Sequence, residues 1–143
     1  MTDFRQVTPD FAVAPQLTRE DIAAAAAAGF KTLVNNRPDG EQPGQLTAAE
    51  AKAAAEAAGL SYRAIPFAGS PPPAVVAEME ALFAEAETPI LAYCRSGTRS
   101  ITAWALAQAL AGTRTPDDII ALAAQAGYDL AGARGALQSL YPR

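Results

Sequence analysis

The sequence predicts an α/β fold with a largely parallel central sheet that is flanked by helices and preceded by a short N-terminal hairpin. Short apolar runs typical of buried strands alternate with longer alanine-rich runs that have the composition of helices. Strands that alternate with helices pair in parallel and are covered on both faces. At 143 residues, half of them hydrophobic, the chain is expected to form one domain over residues 1–143.

The first half of the chain predicts a hairpin, two helices and two strands. Two β-prone runs flank the turn sequence Thr8-Pro9-Asp10. Thr18 and Thr47 each stand three residues before an acidic residue, as in a capping box, and glycines follow both helical runs. The predicted elements are hairpin strands at residues 4–7 and 11–14, helices at 19–28 and 48–58, and strands at 31–35 and 61–65.

The second half predicts one further strand and four helices. The apolar run that ends at Cys94 is the strand, and the long run after it is apolar almost all round, as in a central buried helix. Thr115-Pro116-Asp117 opens the next helix. The predicted elements are helices at residues 74–87, 100–111, about 116–126 and about 130–140, with the strand at 90–94.

The stretch from Cys94 to Ser100 is where chemistry is expected. A loop between a strand and a helix start directs successive backbone N–H groups inward, with the positive end of the helix dipole behind them. This environment favours a nucleophilic thiolate at Cys94, while Arg99 can bind an oxyanion that Cys94 attacks. The N–H groups of Arg95, Ser96, Gly97 and Thr98 are expected to hold that anion. The alternative is a buried structural cysteine.

Two residues of this stretch have open roles. Ser100 hydrogen-bonds the thiolate or caps the helix, and the two roles are compatible. Arg95 contacts substrate or points to solvent.

Two other loops leave the carboxyl ends of the predicted strands, where ligands bind in such folds. Residues 36–44 bring Arg37, Asp39 and Glu41 to this edge. Arg37 is expected to assist anion binding, and Asp39 or Glu41 to act as an acid; the alternative is a solvated turn around Pro38-Asp39-Gly40. Residues 66–73 carry no acidic residue and are expected to shape one wall of the pocket.

The composition excludes several classes of function. The chain has no histidine, so no Ser-His-Asp triad, Cys-His pair or His-ligated metal site can form from it. The net charge of −4 argues against nucleic acid and membrane surfaces as partners. Its single cysteine, with no basic apolar leader or membrane-length apolar run, predicts a cytoplasmic protein. No metal or organic cofactor is implied.

Most of the chain resembles a known bacterial family. The segments at residues 13–17, 29–41 and 93–100 are similar to the phosphatase-like domain of beta-lactamase-hydrolase-like proteins, which resembles dual-specificity and protein tyrosine phosphatases in fold. The resemblance implies a protein-tyrosine-phosphatase-like domain with Cys94 as nucleophile and Arg99 as anion-binding residue. Relatives fused to metallo-hydrolase domains of the persulfide dioxygenase type point toward sulfur metabolism.

A second, shorter resemblance lies in the loop. Residues 94–99 are similar to the active-site loop of single-domain rhodaneses. Cysteine phosphatases place five residues between Cys and Arg, a histidine before the Cys and an Asp acid on an earlier loop. Here four residues separate Cys94 from Arg99, Tyr93 replaces the histidine, and the 66–73 loop has no acid. A general acid commonly accelerates phosphomonoester cleavage by about 10²–10⁴-fold, because the leaving oxygen needs a proton. Sulfite, the leaving group of thiosulfate, is a stable anion and needs no proton at that step.

These departures give three hypotheses. The first is a phosphatase-fold sulfurtransferase, in which Cys94 takes sulfane sulfur from thiosulfate or a persulfide and a small thiol accepts it. The second is a phosphatase acting on phosphomonoesters through a phosphocysteine, with Asp39 or Glu41 as acid and Ser100 aiding departure of the thiol. The third is a non-catalytic anion- or partner-binding module.

Overall fold

The computed structural model describes residues 3–142, which form a five-stranded sheet with helices on both faces. The elements, in chain order, are β1 (Arg5–Thr8), β2 (Phe11–Ala14), α1 (Arg19–Ala27), β3 (Thr32–Asn35), α2 (Ala48–Ala57), β4 (Ser61–Ala64), α3 (Pro73–Glu85), β5 (Ile90–Tyr93), α4 (Thr98–Ala111), α5 (Pro116–Gln125), a 3₁₀ turn (Ala131–Ala133) and α6 (Arg134–Leu140).

The sheet has the order β1-β2-β5-β3-β4. The first two strands form the predicted antiparallel hairpin, and β2, β5, β3 and β4 run parallel. The predicted fold class is therefore confirmed. The strand order places β5, which leads into Cys94, at the centre of the sheet.

Two apolar clusters hold the layers together because successive side chains of a strand point to opposite faces. Ala92 of β5 packs with α3, α4, α5 and α6 on one face. Leu91 and Tyr93 of the same strand pack with α1 and α2 on the other. Helix α4 is buried along most of its length, as its all-round apolar sequence predicts.

The capping patterns define the starts of α1 and α2. Thr18 forms a reciprocal capping box with Asp21, and Thr47 forms one with Glu50. In each box the threonine hydroxyl and the acidic side chain satisfy backbone N–H groups that a helix start leaves unpaired.

Three predicted helix boundaries are wrong by a few residues. Helix α3 ends at Glu85 rather than residue 87, because the backbone of Ala86 is extended. Helix α4 begins at Thr98 rather than Ser100, because Gly97 in the left-handed conformation already starts the turn. The last helix divides into a 3₁₀ turn and α6. Within residues 3–142, no helix has the length and hydropathy needed to cross a membrane.

Candidate active site

The register of the parallel strands brings three loops together at one edge of the sheet. Ala14 of β2 and Asn35 of β3 both pair with Tyr93 of β5. The residues that follow these strands therefore leave the sheet side by side. They begin the loops that carry Gln16, Arg37 and Cys94.

Cys94 lies at the base of this edge and is fully buried. The backbone N–H of Gly97 donates to its Sγ at 3.1 Å. Gly97 has a φ of 92°, in the left-handed region that glycine adopts without the steric cost of a Cβ atom. The four-residue loop thus curls back over the sulfur and directs an N–H group to it, as the strand–loop–helix pattern predicts.

Arg99 stands in the first turn of α4, and its guanidinium is held by two other loops. Nη1 donates to Glu41 Oε2 at 2.9 Å and to the carbonyl oxygen of Phe67 at 3.1 Å. Nη2 donates to Glu41 Oε1 at 2.8 Å. The hydrogen bonds to Glu41 raise the pKa of Arg99, and the nearby Cys94 sulfur adds to that effect. The structure therefore brings a permanently charged arginine to the cysteine.

Glu41 joins two arginines. Hydrogen bonds from Arg99 and then from Arg37 lower the pKa of this carboxyl from 4.5 to about 2. At neutral pH the carboxylate is ionised and accepts hydrogen bonds. In this arrangement Glu41 lacks a proton to give, which argues against the acid role considered for it. It fixes the orientation of Arg99 instead.

Arg37 is placed differently from the expectation. Its side chain is only 2 % exposed. Each of its guanidinium nitrogens donates to a neighbour: Nε to Glu41 at 2.8 Å, Nη1 to Gln16 at 3.0 Å and Nη2 to Gln42 at 3.1 Å. Because all three guanidinium nitrogens are hydrogen-bonded to neighbours, Arg37 supports Glu41 and does not offer an unpaired guanidinium to substrate. Gln16, which lies 21 positions before Arg37, was not predicted to be part of the site.

Asp39 points to a helix start. Its Oδ1 accepts a hydrogen bond from the backbone N–H of Ala48 at 2.8 Å, in the first turn of α2. A carboxylate at this position satisfies an unpaired helix N–H and interacts favourably with the helix dipole. The hydrogen bonds of the described residues do not connect Asp39 to Cys94 or Arg99.

The remaining loop residues fall into a buried and an exposed set. Ser100 is fully buried, and its Oγ has no hydrogen-bond partner among the described residues. It lies inside the first turn of α4, so the role of helix cap falls to Gly97 rather than Ser100. Arg95, Ser96 and Thr98 are exposed. Ser96 Oγ donates to Thr98 Oγ1 at 3.0 Å.

Tyr93 directly precedes the cysteine, at the position where the chain departs from the histidine of the phosphatase pattern. Its side chain is 1 % exposed and packs with α1 and α2, on the face opposite that of Ala92. Burial raises the pKa of Tyr93 far above its ordinary value, so the ring stays neutral. Tyr93 thus packs in the apolar core, and as a neutral ring it places no charge next to Cys94.

Tyr128, which follows α5, is a further site residue that was not predicted from the sequence. Its hydroxyl donates to the carbonyl oxygen of Ser96 at 3.0 Å, so a residue 32 positions further along the chain supports the cysteine loop. The only local signal was a tyrosine directly after the glycine that ends a helix.

A cysteine at the end of a central parallel strand, under a loop N–H and beside an arginine in the next helix, defines a domain of the protein-tyrosine-phosphatase-like class. In fold the chain is similar to Tk-PTP in its active form, with a TM-score of 0.73, 16 % identity, and coverage of 96 % of this chain and 95 % of that one.

The chain belongs to the family of the beta-lactamase hydrolase-like protein, phosphatase-like domain, whose model matches residues 3–111. It is 40 % identical over 124 residues to the beta-lactamase hydrolase-like protein of Agrobacterium fabrum. That match covers 85 % of this chain and 28 % of the relative, so the chain spans little more than a quarter of the relative's length.

A solved structure of similar size supports the same assignment. The chain is 33 % identical to a candidate phosphatase of Neisseria meningitidis Z2491, with a TM-score of 0.84. The two match over 98 % of this chain and 99 % of the other. The expected resemblance to the phosphatase-like family is therefore confirmed.

Proposed function

We propose that the protein is a cysteine-dependent phosphatase that hydrolyses phosphomonoesters through a phosphocysteine at Cys94. The observation that carries the proposal is the placement of the buried sulfur under the Gly97 N–H and beside Arg99. The membership of the chain in a phosphatase-like family supports this choice over sulfur transfer.

The first step transfers the phosphoryl group to sulfur. The Cys94 thiolate forms an S–P bond while the P–O bond to the leaving group breaks, and the leaving oxygen takes the electron pair. Arg99 and the loop N–H groups bind the non-bridging oxygens, where negative charge must be stabilised. Glu41 keeps the guanidinium of Arg99 in place through its two hydrogen bonds to it.

The second step releases phosphate. A water oxygen forms a P–O bond, and the S–P bond breaks with its electron pair on sulfur. Cys94 returns as a thiolate, and the protons of the water stay on the released phosphate or pass to solvent. The unpartnered hydroxyl of Ser100, buried in the first turn of α4, is the group proposed to donate a hydrogen bond to the departing sulfur. Because Cys94 is fully buried, the residues that cover its sulfur must move when substrate binds.

The proton supply restricts the substrate class. Glu41 is ionised and paired with two arginines, and Asp39 is hydrogen-bonded to the start of α2. An alkoxide leaving group needs a general acid, whereas a phenoxide or another acidic leaving group departs more readily without one. The proposed substrates are therefore small anionic phosphate esters with acidic leaving groups.

Sulfur transfer is the second candidate, favoured by the same observation that Glu41 is ionised and Asp39 is hydrogen-bonded to the start of α2. Cys94 would attack the sulfane sulfur of thiosulfate, the S–S bond would break, and sulfite would leave with the electron pair. A small thiol would then take the sulfur from the Cys94 persulfide. No step of this transfer requires an acid at the leaving group.

One assay with two substrates tests both candidates. Phosphate release from an aryl phosphate and sulfite release from thiosulfate are measured for the wild type and for Cys94→Ser. The proposal expects phosphate release that disappears in Cys94→Ser. Sulfite release without phosphate release would favour the second candidate. Equal rates for wild type and Cys94→Ser with both substrates would contradict both and leave a binding module.

A further inference from the structure

The peptide unit between Ser96 and Gly97 is held from both ends. Its carbonyl oxygen accepts a hydrogen bond from the Tyr128 hydroxyl at 3.0 Å, and its N–H donates to Cys94 Sγ at 3.1 Å. The C=O and N–H of a trans peptide lie in one plane and point in opposite directions. A donor fixed on the carbonyl side therefore determines where the N–H points on the other side.

Tyr128 is itself held firmly behind the loop. The residue is 9 % exposed and packs in the apolar cluster of α4, α5 and α6. The guanidinium of Arg5, from β1, lies over its ring at 5.2 Å from the centroid. Burial is the largest effect on the pKa of Tyr128 and raises it, so the hydroxyl is protonated at neutral pH and remains a donor.

The contact between Tyr128 and the loop is too close for any side chain at position 97. A Cβ atom at Gly97 would lie 2.0 Å from the Tyr128 oxygen and 2.9 Å from the ring carbon that bears it. Position 97 thus needs a glycine for two reasons: its φ of 92° and the closeness of this ring. The hydroxyl sits directly against the peptide unit that it supports.

We propose that Tyr128 is a positioning residue for the nucleophile: its hydroxyl holds the Ser96–Gly97 peptide so that the Gly97 N–H stays on Cys94 Sγ. A hydrogen bond accepted at the carbonyl also polarises the peptide and strengthens its N–H as a donor. The inference rests on the proposed function only in taking Cys94 as the nucleophile, and it holds for either phosphate or sulfur chemistry. Tyr128 lies outside residues 3–111, the part that matches the family model.

The ionised form of Cys94 is the one that the Gly97 N–H stabilises most, because a hydrogen bond to a charged acceptor is stronger than one to a neutral acceptor. The other charged and titratable groups at the cysteine are Arg99 of α4 and Tyr128, with Glu41 paired to Arg99 and Arg95 exposed next in sequence. Removing the Tyr128 hydroxyl leaves the three charged side chains, those of Arg99, Glu41 and Arg95, unchanged.

The test is a thiolate titration of Tyr128→Phe. The ultraviolet absorbance of the thiolate is measured against pH, and the same curve for a Cys94→Ser version of each protein is subtracted. This readout needs neither substrate nor access to the buried sulfur. Tyr141→Phe, which removes a hydroxyl near the end of α6, is the matched control.

We expect the Tyr128→Phe curve to move to higher pH, with the thiolate fraction on its low-pH side reduced by about threefold to tenfold, as for the loss of one hydrogen bond. The Tyr141→Phe curve should coincide with that of the wild type. Thermal unfolding of each variant is measured alongside.

A Tyr128→Phe curve that coincides with that of the wild type would overturn the inference, whether or not the variant is less stable, since it would show a purely structural role. The titration also separates this inference from the proposed function. A shifted curve in a protein without phosphatase activity would support the role of Tyr128 and contradict the phosphatase. An unshifted curve in an active phosphatase would do the reverse.

Discussion

Glu41 binds Arg99 through both of its carboxylate oxygens, at 2.9 Å from Nη1 to Oε2 and 2.8 Å from Nη2 to Oε1. This end-on pairing uses the two terminal nitrogens of the guanidinium. In the proposed mechanism, we expect the Nε–H edge of Arg99 to bind the substrate oxyanion. A carboxylate that was considered as an acid from the sequence therefore acts as a support for the arginine.

Replacing Glu41 by glutamine tests this role in catalysis. The amide cannot form two charge-assisted hydrogen bonds to Arg99, so we expect kcat/KM for an aryl phosphate to fall by about 10- to 100-fold. The loss should be equal for substrates with acidic and with basic leaving groups. Glu78→Gln, which alters an exposed salt bridge to Arg63, is the control. A loss that grows with the basicity of the leaving group would show that Glu41 is a general acid after all.

The same pairing makes stability depend on pH. The folded-state pKa of Glu41 is lowered from 4.5 to about 2, so its ionised form stabilises the fold at pH above 4.5. That contribution should decline as the pH falls from 4.5 toward 2. Urea unfolding at a series of pH values measures it as the difference between wild type and Glu41→Gln. A difference that stays constant down to the lowest pH would contradict the lowered pKa.

Arg37 should matter for stability more than for substrate affinity. Arg37→Lys keeps the charge but cannot donate to Glu41, Gln16 and Gln42 together, so we expect a loss of about 1–3 kcal/mol in the free energy of unfolding. Turnover should fall because Glu41 is less well held, with KM unchanged. Arg63→Lys, at an exposed salt bridge, is the control. A raised KM with unchanged stability would show that Arg37 contacts the substrate.

Asp39 should behave as a helix-capping residue. Asp39→Ala removes the acceptor for the Ala48 N–H, and we expect it to cost about 0.5–2 kcal/mol of stability. The value of kcat should stay within about twofold, whereas loss of a general acid costs about 10²-fold or more. Thr115→Ala removes a comparable contact at the start of α5 and is the matched control. A large loss of kcat in Asp39→Ala alone would restore its acid role.

The sequence was informative where the determinants are local. The capping boxes at Thr18 and Thr47 depend on contacts three residues apart, so both helix starts could be predicted. The cysteine loop could also be predicted, because a strand, a glycine-containing loop and a helix follow each other directly. The wrong start of α4 came from Gly97, whose left-handed conformation begins the helix two residues early.

The contacts between distant loops could not be predicted in this way. Glu41 and Gln42 bind Arg37 from its own loop, but Gln16, which binds its third guanidinium nitrogen, comes from a loop 21 positions earlier in the chain. The support of Ser96 by Tyr128 depends on how the segment after α5 packs against the sheet. Such contacts follow from strand order, which the alternation of elements leaves open.

Trapping the phosphocysteine would show whether Cys94 carries the phosphoryl group. The intact mass of the protein is measured after acid quenching during turnover of an aryl phosphate, with Cys94→Ser as control. We expect a gain of one phosphoryl group in the wild type that is absent in Cys94→Ser. An unmodified mass under these conditions, together with a gain of one sulfur atom after thiosulfate, would contradict this expectation and show that the enzyme transfers sulfur.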